Sequence, residues 1–198
     1  MFHVIGGGMG IGMISHQVTR LAIALQEFDA DAPRLQAWGS VAGKALLAGH
    51  RLLVCADSAS RPEALHLAAE LGTGSGPDLP PLPVLVVPRG EVADEGFAYA
   101  DGVRELGSEG DILICLSVAR PLPGLVEAAR VAGERGMTTW ALTGPEPRGL
   151  ANACADWISV SAPEASVVEE VHLVAMHIMC AAASSCVRDA VRLPDSAA

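Results

Sequence analysis

Apolar residues recur three and four apart over residues 15–28 and again over 33–48, with Pro33 opening the second run and Gly49 closing it. That spacing predicts two amphipathic helices joined as a hairpin. Beyond residue 50 the period changes. RLLVC (51–55), PVLVV (83–87), ILICL (112–116), TTWAL (138–142) and WISV (157–160) are short, unbroken apolar runs, most of them separated by helix-like stretches that include 94–105 and 121–135. Strands apolar on both faces, alternating with helices, predict a parallel sheet covered on both sides. The exception is the Pro- and Gly-rich GTGSGPDLPPLP (72–83), which reads as a loop before the second strand. The last segment, 164–190, predicts one helix of about 40 Å at a rise of 1.5 Å per residue. No internal repeat or linker divides the chain. The expected organisation is α/β, with a flexible leader over 1–12, a single domain over 13–190 and a disordered tail over 191–198.

Composition narrows the core. Hydrophobic residues make up 51% of the 198 residues and aromatic ones only 4%, so the interior is built from Ala, Val, Leu, Ile and Met at close quarters. Asp and Glu outnumber Lys and Arg by 23 to 13, a formal charge of −10, which disfavours nucleic-acid binding through a basic face. Mean hydropathy is +0.37. Every long apolar stretch nonetheless reads as interrupted by charge, Gly or Pro before the ~20 residues that a membrane span needs. The five cysteines are odd in number and contain no CxxC pair, so neither a disulfide framework nor a zinc finger is expected. With no secretory signal pattern at the start, the reading is a soluble cytoplasmic protein without a membrane partner.

The opening MFHVIGGGMGIG suggests a dinucleotide-binding glycine loop, but its spacing fails. A G-x-G-x-x-G register from Gly6 meets Ile11, and one from Gly8 meets Met13, so no nucleotide cofactor is expected. In a parallel sheet, ligands sit beyond the carboxyl ends of the strands, where helix N-termini face a crevice. Two segments occupy such places: Ala56–Ser60 after the first strand, where Ser60 and Glu63 have capping-box spacing, and Ser117–Leu122 after the third. On the helix that follows Ser60, His66 and Glu70 share a face about 6 Å apart along the axis, able to share a metal or to form a solvated pair. Glu169 and His177 on the last helix are separated by about 12 Å of rise and ~80° of rotation, so their side chains converge only with difficulty. His172 points to another face and reads as a packing or surface residue.

The stretches ALHLAAEL (64–71), GDILICLS (110–117), ERGMTTWALTG (134–144) and EEVHLVAMHIM (169–179) resemble sugar isomerase (SIS) domains. Among these the chain is similar to the sedoheptulose 7-phosphate isomerases, also called phosphoheptose isomerases, over about residues 15–190. The resemblance implies a Rossmann-like three-layer sandwich with a five-stranded parallel sheet, and an N-terminal helical hairpin that helps build a homotetramer. It also implies an aldose–ketose isomerase that moves a proton between C1 and C2 of an open-chain sugar phosphate through an enediol. By the same resemblance Glu70 and His177 carry the acid/base chemistry, and Zn²⁺ binds at His66, Glu70, Glu169 and His177, with Glu169 standing where the family has Gln.

The substrate-holding segments depart from that pattern. The family's Ser-Thr-Ser-Gly-Asn-Ser phosphate loop reads SVARPL here, keeping Ser117 and offering Arg120 as the evident compensation. The Gly-Asn-Gly-Gly-Ser after the first strand has become ADSAS, with Asp57 in place of a sugar-contacting Asn. An Asn-Asp pair has become Ala93-Asp94. The substrate-binding set implied by the resemblance is Asp57, Ser58, Ser60, Asp94, Ser117, Arg120 and Glu169, and Asp57 repels a phosphate. Two readings stay open at this point: an isomerase with an altered sugar phosphate substrate, and a non-catalytic SIS-domain oligomer that binds a sugar phosphate or a protein partner.

Overall fold

A computed structural model describes residues 7–73, 79–89 and 99–192. Helix α1 (Gly7–Phe28) starts inside the segment expected to be a leader, and a single 3-10 turn (Asp29–Asp31) leads into α2 (Ala32–Leu47), which carries its proline in the first turn. Gly49 follows with φ of 88°, a left-handed conformation that ends the hairpin where the pattern placed its stop.

The remaining elements alternate: β1 (Leu52–Ala56), α3 (Arg61–Gly72), β2 (Val84–Val86), α4 (Ala100–Leu106), β3 (Ile112–Ser117), α5 (Pro123–Glu134), β4 (Thr138–Thr143), α6 (Leu150–Ala153), β5 (Asp156–Ser159) and α7 (Ala165–Arg192). The five strands form one parallel sheet in the order β2-β1-β3-β4-β5. Alternation of side chains sends Leu52, Val54 and Ala56 into one apolar layer under α2, α3 and α7, and Leu53 and Cys55 into the other under α4 and α5. Cys55 and Cys115 lie in register on adjacent strands and are fully buried, acting as small hydrophobes.

Helix α7 is the spine of the first layer. A Cβ on Gly39 would stand 2.3 Å from the Met179 carbonyl oxygen, and one on Gly43 would stand 2.8 Å from that of Ala183. Only glycine lets α2 approach α7 this closely. Contrary to the expectation from sequence, Ala165–Val191 is long and apolar enough to cross a membrane, by length and composition. Half of its most apolar window is buried inside the fold, as the core-facing helix of a layered α/β domain requires. Trp38 of α2 stacks on Trp140 of β4, with centroids 5.0 Å apart, and its indole N–H donates to Asp156.

The layers also set where a site can lie. Successive connections leave β1 on one face, through α3, and β3 on the other, through α5. The carboxyl ends of β1 and β3 are therefore the switch point of the sheet.

Candidate functional site

Apolar Ala64, Leu67 and Leu71 pin α3 to the core, and Ala175, Met176 and Met179 pin α7. That docking turns His66 and Glu70 toward His177 across the groove between the two helices. The Nε2 atoms of His66 and His177 are 3.0 Å apart, with the rings edge to face. At that separation the two ring nitrogens are within hydrogen-bonding distance, and which one donates depends on the tautomer. A Glu70 Oε2 atom lies 3.5 Å from His66 Nε2 and 3.7 Å from His177 Nε2. Both imidazoles are about half exposed and the carboxylate is more enclosed, which leaves the triangle open on its outer side.

The donor set fits a divalent cation. Tetrahedral zinc with ligands at 2.0–2.1 Å sets them about 3.3 Å apart. The three edges here are 3.0, 3.5 and 3.7 Å, and among the described residues these three form one candidate group. Glu169 is not brought to it. It stands two turns earlier on α7, where its charge bears on the Glu63 carboxyl. The rise and rotation along α7 separate the two expected ligands, as the spacing predicts.

One residue near the group was not singled out from sequence. Cys180 is fully buried one turn beyond His177, near enough for the Glu70 charge to bear on its thiol. Burial first, and the Glu70 charge second, push that thiol far above the ordinary range, so it keeps its proton. The sequence signal was available only as an i, i+3 relation to His177, which an apolar helix face produces equally well.

The loops at the switch point are built differently. Asp57 is buried, and its carboxylate accepts the backbone N–H of Ser60 at 2.9 Å. That N–H is the one Glu63 would take in a capping box, so the expected box does not form. Ser60 Oγ and Glu63 Oε2 are instead buried without a hydrogen-bond partner among the described residues, and so are both ring nitrogens of His172. Burial, then the Glu169 and Asp57 charges, push the Glu63 carboxyl up. His172 is a core residue beneath this loop, next to the Thr143 backbone and Asp57. Burial pushes its pKa down to about 4.

Ser117 is fully buried, and its hydroxyl donates to the Ala119 carbonyl 3.2 Å away, within its own loop. The following carbonyl, that of Val118, stands 2.1 Å from where a Cβ on Gly144 would lie, so this loop is seated on the end of β4. Pro121 is buried, Leu122 half-buried, and Ser58 and Arg120 are exposed. Arg120 lines an open cavity of about 780 Å³ with Pro121, Leu122 and Arg148. Arg148 carried no signal in the sequence, because only the fold brings the β4–α6 loop beside the β3–α5 loop. Asp94 lies outside the described residues.

Residues 16–144 match the SIS domain family. The chain is 35% identical over 170 residues to the phosphoheptose isomerase of Streptomyces coelicolor, covering 82% of this chain and 74% of that protein. It is 29% identical over 180 residues to that of Nitratidesulfovibrio vulgaris, covering 85% of each. Among solved structures, a phosphoheptose isomerase from Francisella tularensis superposes with a TM-score of 0.80 at 23% identity, over 89% of this chain and 99% of that one. One from Neisseria gonorrhoeae superposes at 0.76 and 22% identity, over 88% and 98%. At these identities the two structures speak for the fold, the parallel sheet and its flanking helices, while the sequence matches speak for descent. The chain therefore belongs to the SIS domain family, among its phosphoheptose isomerase-like members.

Proposed function

We propose that this protein is a sugar-phosphate isomerase of the phosphoheptose isomerase type, interconverting a ketose and an aldose phosphate. The observation that carries this reading is the convergence of His66, Glu70 and His177 from two helices onto one open triangle. Proton transfer between adjacent carbons needs a base that can return what it takes and an acid that serves the oxygens. Glu70 removes the proton from C1 of the open-chain ketose, and the electrons pass into the C1–C2 double bond of an enediol as the C2 oxygen takes a proton from His177. The return step delivers the Glu70 proton to C2, and His177 recovers a proton from the C1 hydroxyl as the aldehyde forms. His66 holds the other two groups in place through its contacts with both.

His66, Glu70 and His177 would hold a Zn²⁺ ion, and when bound such an ion supplies a Lewis acid that polarises the sugar oxygens. These three side chains would hold the ion without Glu169, and three protein ligands would leave it room to bind substrate or water. At the switch point, Asp57 and Ser117 direct their polar atoms inward, so the phosphate is assigned to the exposed Arg120, with Ser58 beside the same crevice. The exposed Ile14 and Val18 of α1, Val41 and Leu47 of α2, and Val174 of α7 support assembly as a homotetramer. A cytoplasmic location accords with a metabolic isomerase. The non-catalytic alternative is disfavoured by named isomerase relatives at up to 35% identity.

The test is an isomerisation assay on sedoheptulose 7-phosphate and a panel of other ketose phosphates, with exchange of the C1 proton followed in deuterated water. Turnover or exchange that disappears in Glu70→Gln is the expected result. No exchange with any of them would overturn the reading.

A further inference from the structure

The cavity of about 780 Å³ beside the β3–α5 loop is lined by two arginines from different loops, Arg120 and Arg148. The phosphate assignment draws on Arg120 alone. Both side chains are exposed, and among the described residues neither guanidinium has a hydrogen bond or an ion pair. Two carboxylates share the wall. Glu127 is already held by Arg130 at 2.6 Å and by Arg104 at 3.7 Å, so its charge is answered from outside the cavity. Glu146 is exposed and pairs with neither Arg120 nor Arg148. Two uncommitted cations therefore stand against one uncommitted carboxylate. The cavity also takes in Leu122 and Pro123, where α5 begins without a side-chain cap, so the positive end of its dipole borders the same space.

The two loops are fixed to each other, which holds the backbones of the two arginines at a set spacing. The Gly144 N–H donates to the Ser117 carbonyl at 2.8 Å, and the Val118 carbonyl leaves no room there for a Cβ. At the far end of the β4–α6 loop, Gly149 has φ of 95°, and a Cβ on it would stand 3.0 Å from Val126 of α5. Prolines stiffen both segments. Pro121 disfavours a helical backbone at Arg120, and Pro147 fixes the φ angle immediately before Arg148. A backbone ordered in advance loses less entropy when its side chains close on a ligand. Two planar guanidinium forks, each with parallel N–H donors, match the oxygens of a phosphate rather than a neutral sugar.

We propose that Arg148 and Arg120 form a two-armed clamp for a phosphate monoester dianion, the phosphate of the sugar substrate. The assignment to the substrate rests on the isomerase reading, whereas the clamp itself is tested without turnover. Binding of inorganic phosphate, followed by phosphorus NMR, is expected to weaken about tenfold or more in Arg148→Ala and in Arg120→Ala. In Arg188→Ala, which removes the same charge near the carboxyl end of α7, it is expected to stay within about twofold of wild type, because a distant surface charge is screened. No binding to wild type, or binding unchanged in Arg148→Ala as for a solvated side chain, overturns the clamp. So does an equal loss in Arg188→Ala, which would reduce the effect to net charge.

The isomerisation assay tests whose phosphate is held. Arg148→Ala is expected to raise KM for the sugar phosphate about tenfold with kcat largely kept, the pattern of a group that binds substrate and transition state alike. Inorganic phosphate is expected to compete with substrate in wild type. An unchanged KM alongside lost phosphate binding overturns the proposal, since the clamp would then hold the phosphate of another molecule. Absence of turnover in wild type would sink the isomerase reading, and the phosphate titration would still decide the clamp. Thermal melts matching wild type establish that the variants are folded, as expected for exposed side chains.

Discussion

The groove between α3 and α7 and the switch point between β1 and β3 have opposite characters. In the groove, His66, Glu70 and His177 direct their polar atoms at one another within 3.7 Å. At the switch point, Asp57 caps α3, Ser117 bonds into its own loop, and Ser60, Glu63 and His172 are sealed beneath. The first region is poised for a reacting molecule. The second has met part of its hydrogen-bonding need with its own groups, and the phosphate contact proposed at the exposed Arg120 lies outside them.

The comparison breaks most decisively at Glu70. Replacing it with Gln keeps the shape and removes the base, and proton exchange is expected to fall by about 10²- to 10⁴-fold. An equal loss on replacing Ser117 with Ala would show that the sealed loop takes part in the chemistry, and the contrast would collapse.

The next largest effect is on stability, and it belongs to the sealed side. The pKa of His172 is lowered from 6.5 to about 4 by burial, so the folded protein resists a proton that the unfolded chain accepts. Above pH 6.5 both states hold the ring neutral and stability is fully present. As pH falls toward 4, the unfolded state gains protons first and folding loses up to about 3 kcal/mol. Urea unfolding at pH 7 and pH 4.5 measures this, and His172→Gln is expected to flatten the difference. A pH dependence unchanged in that variant would remove His172 from the sealed floor.

Arg120 tests the outward shift. Loss of its guanidinium in Arg120→Ala is expected to raise KM for a sugar phosphate by about tenfold or more, the range of a hydrogen bond to a charged group, with kcat largely kept. An unchanged KM would place the phosphate elsewhere. The smallest effect is expected at Asp57. Asp57→Asn keeps an acceptor for the Ser60 N–H and removes one negative charge, so affinity for a phosphate-bearing substrate should improve a few-fold. A weaker affinity would mean that the carboxylate itself contacts the substrate.

Much of this was legible beforehand, for reasons that differ by element. The strands at 52–56, 112–117 and 138–143 were plain because strands buried on both faces are apolar along most of their length, and the hairpin was plain from its period and its Pro33 and Gly49 punctuation. His66 and Glu70 were readable as a pair because i, i+4 residues meet whatever the rest of the chain does. The capping box at Ser60 and Glu63 was misread because Asp57, three residues upstream, competes for the same N–H, a contest that local spacing does not rank. Arg148 had no local signature, and Cys180 had only its i, i+3 relation to His177, which an apolar helix face produces equally well.

By itself, the sequence determined what depends on near neighbours: the alternation of strand and helix, the end of the first hairpin, and the shared face of His66 and Glu70. Tertiary structure alone decided which distant groups meet. The docking of α7 on α3 brought His177 within 3.0 Å of His66 and left Glu169 outside their group. The reason is geometric: helix spacing tells where a side chain points around its own axis, and only packing decides what stands opposite.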